Sequence, residues 1–372
     1  MKLAIERAQL FKALSHVQSV VERRNTIPIL SNVRLEGRDG RLKLTATDMD
    51  LEVVESVEAH VSVEGGTTAS AHLAHDIVRK LPDGAEVALE TTEDGGRLAI
   101  RCGRSRFALP CLPTDDFPVM ADGDFAHDFA LPVDTVRRMI DKTRFAISTE
   151  ETRYYLNGIF LHAREADTPP VLCAVATDGH RLARFETALP DGAAGMPGVI
   201  VPRKAVGELR KLVDDADGAI EVALSRTKIR FTLDRIVLTS KLIDGTFPDY
   251  ERVIPTQNDK LMEVEGKRFS EAVDRVATIS TERSRTIKLA LERGKLRLSA
   301  NSPDSGSAIE EMDVDYDGPA IEIGFNARYL LDMTERTDGA KVEFAMADAG
   351  SPTLMRDTGD PSTVYVLMPM RV

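Results

Sequence analysis

Apolar residues recur at helical spacing six times along this chain, and alternating segments follow each recurrence. Residues 8–20 carry Leu10, Leu14 and Val17 on one face of a predicted helix. Residues 133–144 repeat the device with Val136, Met139 and Ile140, and residues 269–278 with Phe269, Ala272, Val273 and Val276. A short alternating segment precedes each of the three, at 2–6, 128–131 and 261–265. Pro132 suits a helix start and Ser270 a helix cap. Strands are expected next at 33–35, 41–46 and 51–57, with Asp39-Gly40 as the hairpin turn. The same succession is expected at 158–162, 171–176 and 182–186, and at 286–291, 295–299 and 309–314. A second helix then begins in each stretch, at 71–81, 202–212 and 326–334, and further strands close it.

The pattern is a threefold repeat. Phe117-Pro118 and Phe247-Pro248 lie 130 residues apart, as do Ala46-Thr47-Asp48 and Ala176-Thr177-Asp178. Ser299-Ala300-Asn301-Ser302 stands at the corresponding place in the last copy. From Ala71 to Pro118, Val201 to Pro248 and Phe325 to Val372 the separation is 47 residues each time. A period this long makes each copy a domain rather than one stacking unit of a solenoid. We expect domains at 1–122, 128–250 and 251–372, joined by linkers near 115–127 and 248–260. Each copy reads helix, strands, helix, strands, so the expected class is α+β, with two helices packed on antiparallel sheets. Six like half-units in one chain make symmetry itself a candidate for the function.

Composition narrows the class. Hydrophobic residues make up 42% of the 372, which suits ordinary globular domains. Tryptophan is absent, so the cores must rest on Val, Leu, Ile and Ala. Three cysteines (Cys102, Cys111 and Cys173) at no metal-binding spacing fit a reduced compartment. Early charge at Lys2 and Glu6 argues against a signal peptide, and no apolar run is long enough to span a bilayer. The expected location is the cytoplasm, with no membrane partner.

The net charge of −12 argues against tight nucleic-acid binding. The predicted helices nevertheless carry many basic residues, among them Arg137, Arg138, Arg203, Lys204, Arg275 and Arg328. Strand and turn segments such as 48–58 and 310–317 are more acidic. One basic helix face is ordinarily a solvated face. Six of them lining a closed ring would present a weakly attractive bore to a polyanion while the acids cover the outside.

Four motifs carry a resemblance: Arg153-Tyr154-Tyr155-Leu156-Asn157-Gly158, Ala176-Thr177-Asp178-Gly179-His180-Arg181-Leu182, Phe247-Pro248-Asp249-Tyr250 and Val366-Leu367-Met368-Pro369-Met370-Arg371. With Ile27-Pro28-Ile29-Leu30 and Gly103-Arg104-Ser105-Arg106-Phe107, the chain resembles the bacterial sliding clamp, the beta subunit of DNA polymerase III, from end to end. The resemblance implies a non-enzymatic ring, a head-to-tail homodimer of three-domain chains encircling double-stranded DNA without regard to sequence. It implies a processivity factor that tethers the polymerase III catalytic subunit, the clamp loader, and other polymerases and repair factors by a short peptide. No cofactor or metal is implied. The peptide pocket between the second and third domains would comprise Leu156, Thr177, Gly179, His180, Arg181, Leu182, Pro248, Arg252, Val253, Val366, Met368, Pro369, Met370 and Arg371. Apolar groups with two methionines make an adaptable groove, and Arg181, Arg252 and Arg371 would serve acidic or carbonyl groups at its rim.

The same matching assigns Arg24 and Tyr154, with Arg203 and Lys204, to the DNA side. His72 stands where relatives carry a basic residue. Arg104, Arg106, Phe107, Ile279 and Glu310 are expected at the dimer interface, the arginines facing the acids near Glu310. Two other readings compete. His72 and His75 at i and i+3 form half of a metal site without further ligands. Asp178 and His180 suggest the dyad of a hydrolase, yet no nucleophile motif accompanies them, and the sister copy Asp48-Met49-Asp50 has no histidine. A turn shared by two copies accounts for both aspartates.

Overall fold

The computed structural model describes residues 1–121, 123–280 and 285–371. The expected domain ends at Asp122 and Val372 fall outside these. Six helices appear among the described residues: α1 (Arg7–Gln18), α2 (Ala71–Arg79), α3 (Val133–Thr143), α4 (Arg203–Val213), α5 (Gly266–Ala277) and α6 (Ala327–Thr334). Antiparallel sheets make up the rest, so the α+β reading holds. No described helix is long and apolar enough to cross a membrane.

The helix that opens each repeat begins in the same way. The first amides of α1, α3 and α5 (Arg7, Val133 and Gly266) donate to the carbonyls of Ala85, Gly218 and Ala340, just past the second helix of their own repeat. Each bond satisfies a donor that a helix start leaves without an intrahelical partner. Ser270 is therefore not the cap of α5. The strand Lys260–Glu265 runs straight into the helix, Glu265 takes the cap position, and Ser270 lies within the helical body. The predicted apolar faces are the buried ones: Leu10, Leu14 and Val17 on α1, Val136, Met139 and Ile140 on α3, Phe269, Val273 and Val276 on α5.

The chain condenses into two compact units: Met1–Arg137 with Pro190–Met196 and Lys204–Leu242, and Arg138–Leu189 with Pro197–Arg203 and Ile243–Val372. The middle repeat is thus shared between them. In the first unit an eight-stranded sheet runs His127–Pro132, Ala219–Leu224, Lys228–Leu233, Ile236–Lys241, Leu51–Glu58, Arg41–Thr47, Asn32–Arg38, Gly65–Ser70. Its seam is the antiparallel pairing of Leu51–Glu58 from the first repeat with Ile236–Lys241 from the second. Asp39 (φ 49°) and Gly40 (φ 70°) make the expected hairpin turn. A five-stranded sheet completes this unit and ends on the strand Ser105–Pro110.

The second unit repeats the plan. Its eight-stranded sheet joins Arg181–Ala188 of the middle repeat to Asp360–Leu367 of the last, and a four-stranded sheet ends on Gly306–Asp313. The two Phe-Pro signals are anchors: Phe117 is buried against Ile29 and Leu30, and Phe247 lies in a cluster with Leu156, Leu182, Tyr250 and Val366.

Candidate functional site

Asp178 closes a turn. Its Oδ1 accepts from the amides of His180 (2.9 Å) and Arg181 (3.0 Å), and Thr177 Oγ1 donates to the Arg181 carbonyl at 2.7 Å. The first repeat builds the same turn: Asp48 Oδ1 accepts from Asp50 (2.9 Å) and Leu51 (2.7 Å), and Thr47 Oγ1 donates to Leu51 at 2.9 Å. The carboxylates are thus occupied by backbone, which removes the hydrolase dyad and leaves the shared turn. The possible metal pair also dissolves. His72 Nε2 lies 2.9 Å from the Val21 carbonyl, and His75 packs on Phe11 with ring centroids 5.2 Å apart. Among the described residues no group of three or more His, Cys, Asp or Glu is placed to hold a metal ion.

Beside the turn, in the second unit, lies a cleft of about 310 Å³. Leu156, Thr177, Leu182 and Val366 line it from the buried side, while Pro248, Val253 and Met368 line it from the exposed side. Gly179 and Arg181 also contribute. Nine of the predicted pocket residues are therefore brought together. Four more, which sequence reasoning had passed over, complete the wall: Arg153, Tyr155, Asp249 and Tyr250. All four sat inside the recognised motifs. The missing signal was that a 3-10 turn at Glu151–Leu156 and another at Tyr250–Val253 bring both motifs to one cleft. Tyr250 OH meets His162 Nε2 at 3.0 Å, and burial raises its phenol above the ordinary range.

The remaining predicted pocket residues flank this cleft. His180 accepts from the Met368 amide through its carbonyl at 2.9 Å and stacks its ring near Tyr329 at 6.3 Å. Arg252 is exposed and paired with Asp249 at 2.7 Å. Met370 donates its amide to the Gly324 carbonyl at 2.8 Å, which carries Pro369 and the exposed Arg371 past the cleft.

Arg181 corrects the sequence reading. Its side chain is 8% exposed, and its guanidinium contacts Asp178 Oδ2 (3.1 Å), Asp332 Oδ2 (2.5 Å) and the Phe145 carbonyl (2.6 Å). The Tyr329 ring lies 4.3 Å away and the Phe145 ring 5.1 Å. A fork engaged in this way is a bolt between the turn and α6, and it has no free arm for a ligand carboxylate. The other arginine lining the cleft is the half-buried Arg153, which pairs with Glu150 at 2.6 Å and lies over Gly179.

Lys204 corrects it again. Its ammonium meets Asp48 Oδ2 and Glu22 Oε1, both at 2.6 Å, and the Val20 carbonyl at 3.1 Å. Burial opposes its charge, but the two carboxylates outweigh burial and raise its pKa. With three acceptors in place it is a staple within the first unit and not a free phosphate contact. Arg24, Tyr154 and Arg203 are exposed.

On the expected interface residues, Arg104 and Arg106 are exposed and form no ion pair among the described residues, and Phe107 is 36% exposed. Ile279 is half-buried just beyond α5. Glu310 departs from expectation: Arg275 of its own chain holds it at 2.6 Å and lowers its pKa. Any partner arginine would have to share that carboxylate.

The first repeat's seam has the same backbone but not the same cleft. There the Lys241 amide donates to the Asp50 carbonyl at 2.8 Å, as Met368 does to His180. Met49 (φ 77°) stands where Gly179 (φ 88°) does, and Glu52 stands where Leu182 does, accepting from the Met120 amide at 3.1 Å. Lys241 replaces Met368 and pairs with Asp50 at 2.9 Å. A charge, a bulky side chain and an ion pair thus replace the apolar surface that a peptide anchor needs.

Three sheet-and-helix repeats that carry an apolar cleft beside a turn whose aspartate is held by backbone amides define a docking scaffold. Profiles of the DNA polymerase III beta subunit match in order along the chain: the N-terminal domain over residues 1–121, the central domain over 130–249 and the C-terminal domain over 251–371. The chain is 54% identical to the beta sliding clamp of Caulobacter vibrioides over 372 residues, covering all of both. It is 39% identical to that of Escherichia coli K12 over 375 residues, again with full coverage. Among solved structures, the sliding clamp of Bartonella birtlesii bound to griselimycin superposes with a TM-score of 0.98 at 50% identity, covering all of both chains. The chain belongs to the DNA polymerase III beta subunit family, the bacterial sliding clamps. It is a clamp and not an enzyme.

Proposed function

We propose that this chain closes head-to-tail with a second copy into a ring around duplex DNA and presents the cleft beside Met368 to polymerases and other DNA-processing factors. The observation that carries the docking role is the cleft itself: an apolar floor of Leu156, Leu182 and Val366 with an adaptable methionine at its lip. Peptides with leucine or phenylalanine anchors suit it, and the clamp loader would dock by the same mode. Arg153 takes the rim role first expected of Arg181. Val253 lines the cleft and is 47% exposed, so Val253→Asp leaves the fold intact. Calorimetry with a polymerase tail peptide should find affinity reduced by about tenfold or more, the equivalent of roughly 1.4 kcal/mol. Unchanged affinity would remove the cleft from the proposal.

Dimerisation rests on two sheet ends. Ser105–Pro110 and Gly306–Asp313 are terminal strands of their sheets, exposed along most of their length and carrying Phe107 and Ile309 (67% exposed). An exposed apolar edge strand is a template for pairing with another chain, and a two-fold operation using both edges closes the assembly. Arg104 and Arg106 would meet the acidic strand, with Glu310 shared with Arg275. Arg24, Tyr154 and Arg203 would face DNA, in the cytoplasm. Light scattering at micromolar concentration should give twice the 40.8 kDa of the chain, and a monomer would overturn the ring.

A further inference from the structure

His16 sits between two carboxylates. Its Nδ1 lies 2.7 Å from Glu55 Oε2 and its Nε2 lies 2.9 Å from Asp215 Oδ2. A neutral imidazole carries one N–H, so only the doubly protonated ring can donate to both. The three groups come from different places: His16 from the end of α1, Glu55 from the seam strand of the first repeat, and Asp215 from the segment after α4 in the second repeat. His16 is 8% exposed and Glu55 1%. Other charged groups face the trio. Lys12 of α1 pairs with Asp215 at 3.6 Å, and Arg235 Nε approaches Glu55 Oε1 at 3.7 Å from the hairpin of the second repeat. Asp217 and Asp234 line the adjoining cavity.

The other repeats use the same position. His16, Lys142 and Arg275 are each the tenth residue of the helix that opens their repeat. Lys142, 4% exposed, reaches Asp338 of the last repeat at 2.8 Å and Asp360 at 3.9 Å. Arg275 holds Glu310 at 2.6 Å. The three helices therefore each end on a cation that binds an acid, but lysine and arginine keep their charge through the neutral range. Only histidine titrates there.

We propose that His16 is a proton-operated clasp between the first and second repeats. Doubly protonated, it ties α1 to the segment after α4. Loss of one ring proton leaves one carboxylate facing a lone pair, and the contact with the more exposed Asp215 is given up. Burial alone would lower the His16 pKa, but the hydrogen bonds of Glu55 and Asp215 outweigh it and raise it above the ordinary 6.5. A raised folded-state pKa contributes stability fully present below about 6.5 and lost as pH rises through the folded value. The seam therefore loosens toward alkaline pH.

The test is imidazole NMR and thermal unfolding of the full chain from about pH 6 to about pH 9. His16 should titrate above a histidine model peptide, and each unit of difference is about a tenfold change in the clasp equilibrium. Wild type should lose more melting temperature across that range than His16→Gln, and His16→Lys should flatten the curve. If His16→Gln does not fold, Asp215→Asn keeps the Glu55 bond and should lower the His16 midpoint. A His16 midpoint at or below that of the model peptide, equal slopes in wild type and His16→Gln, or an unmoved midpoint in Asp215→Asn would each overturn the clasp.

Discussion

The Met368 amide donates to the His180 carbonyl across 2.9 Å, and this bond ends the pairing of the last strand with the turn of the middle repeat. It places a thioether at the lip of the cleft by fixing the backbone that carries it. Ending the chain at Leu367 removes both the bond and the lip. Such a protein should keep its sheets, because Val364, Tyr365 and Val366 remain buried in them. It should lose polymerase-peptide binding by about 2 kcal/mol or more, the scale of a central anchor. Calorimetry beside light scattering separates the two effects, and a lost dimer would contradict the assignment of the tail.

Arg181 should matter for stability before it matters for affinity. Arg181→Leu leaves Asp178 and Asp332 without their shared partner, a loss of about 3 kcal/mol when one member of a buried pair is removed. Arg181→Lys keeps the charge but cannot span both carboxylates and the Phe145 carbonyl, so it should fall between the two. Urea midpoints of the three proteins check the order.

Gly179 is a conformational requirement. Its φ of +88° lies in the left-handed region, and an added Cβ would sit 2.5 Å from Arg153 Nη1. The arginine can swing away, so the steric part is relieved cheaply and the backbone part remains, about 1–2 kcal/mol. Gly179→Ala should lower the melting temperature modestly and weaken the Arg153–Glu150 pair. A crystal structure of the variant with Arg153 unmoved would contradict this account.

Sequence periodicity revealed the helices because each buries one stripe, as with Leu10, Leu14 and Val17. It also exposed the turn at Asp178 through its twin at Asp48. It could not reveal that the middle repeat is divided between two compact units, since the seams pair residues as distant as Val54 with Val237 and Leu182 with Val366. Long-range pairing of this kind leaves no local signature. The misreadings of Arg181 and Lys204 have the same origin. A basic residue beside a motif reads as a ligand arm until the acids that occupy it (Asp332, Asp48 and Glu22) are brought in by the fold. Tyr155 and Tyr250 were missed because a tyrosine in a motif does not announce which side of a cleft it walls.

Asp360 sets an acid limit for the second unit. Burial opposes its charge, but the hydroxyls of Ser362 and Thr363 and the Ser362 amide outweigh burial and lower its pKa below 3.8. A depressed carboxylate contributes stability present above the unfolded value and lost as pH falls through the folded one. Arg138 at 3.0 Å and Lys142 at 3.9 Å lose their partner at that point. Asp360→Asn should therefore cost stability at neutral pH and show a shallower decline toward about pH 3. Denaturant midpoints at the two pH values measure it, and parallel declines would exclude Asp360 as the titrating group.

Topology and affinity can be separated on DNA. A ring needs weak phosphate contacts, since each strong one is a brake on sliding, and the net charge of −12 favours weak direct binding. Loader-assembled protein should stay on a closed circular duplex through gel filtration and run off promptly once the circle is cut with both ends free. Arg24→Ala should slow loading more than it shortens retention on the intact circle, because a closed ring holds DNA without that contact. Lys204→Ala should behave differently. Its ammonium is held by Asp48 and Glu22, so its loss should appear as a lower melting temperature and not as a weaker salt dependence of DNA binding. Equal retention on circular and linear DNA would mean that affinity rather than enclosure holds the protein, and the ring would fall with it.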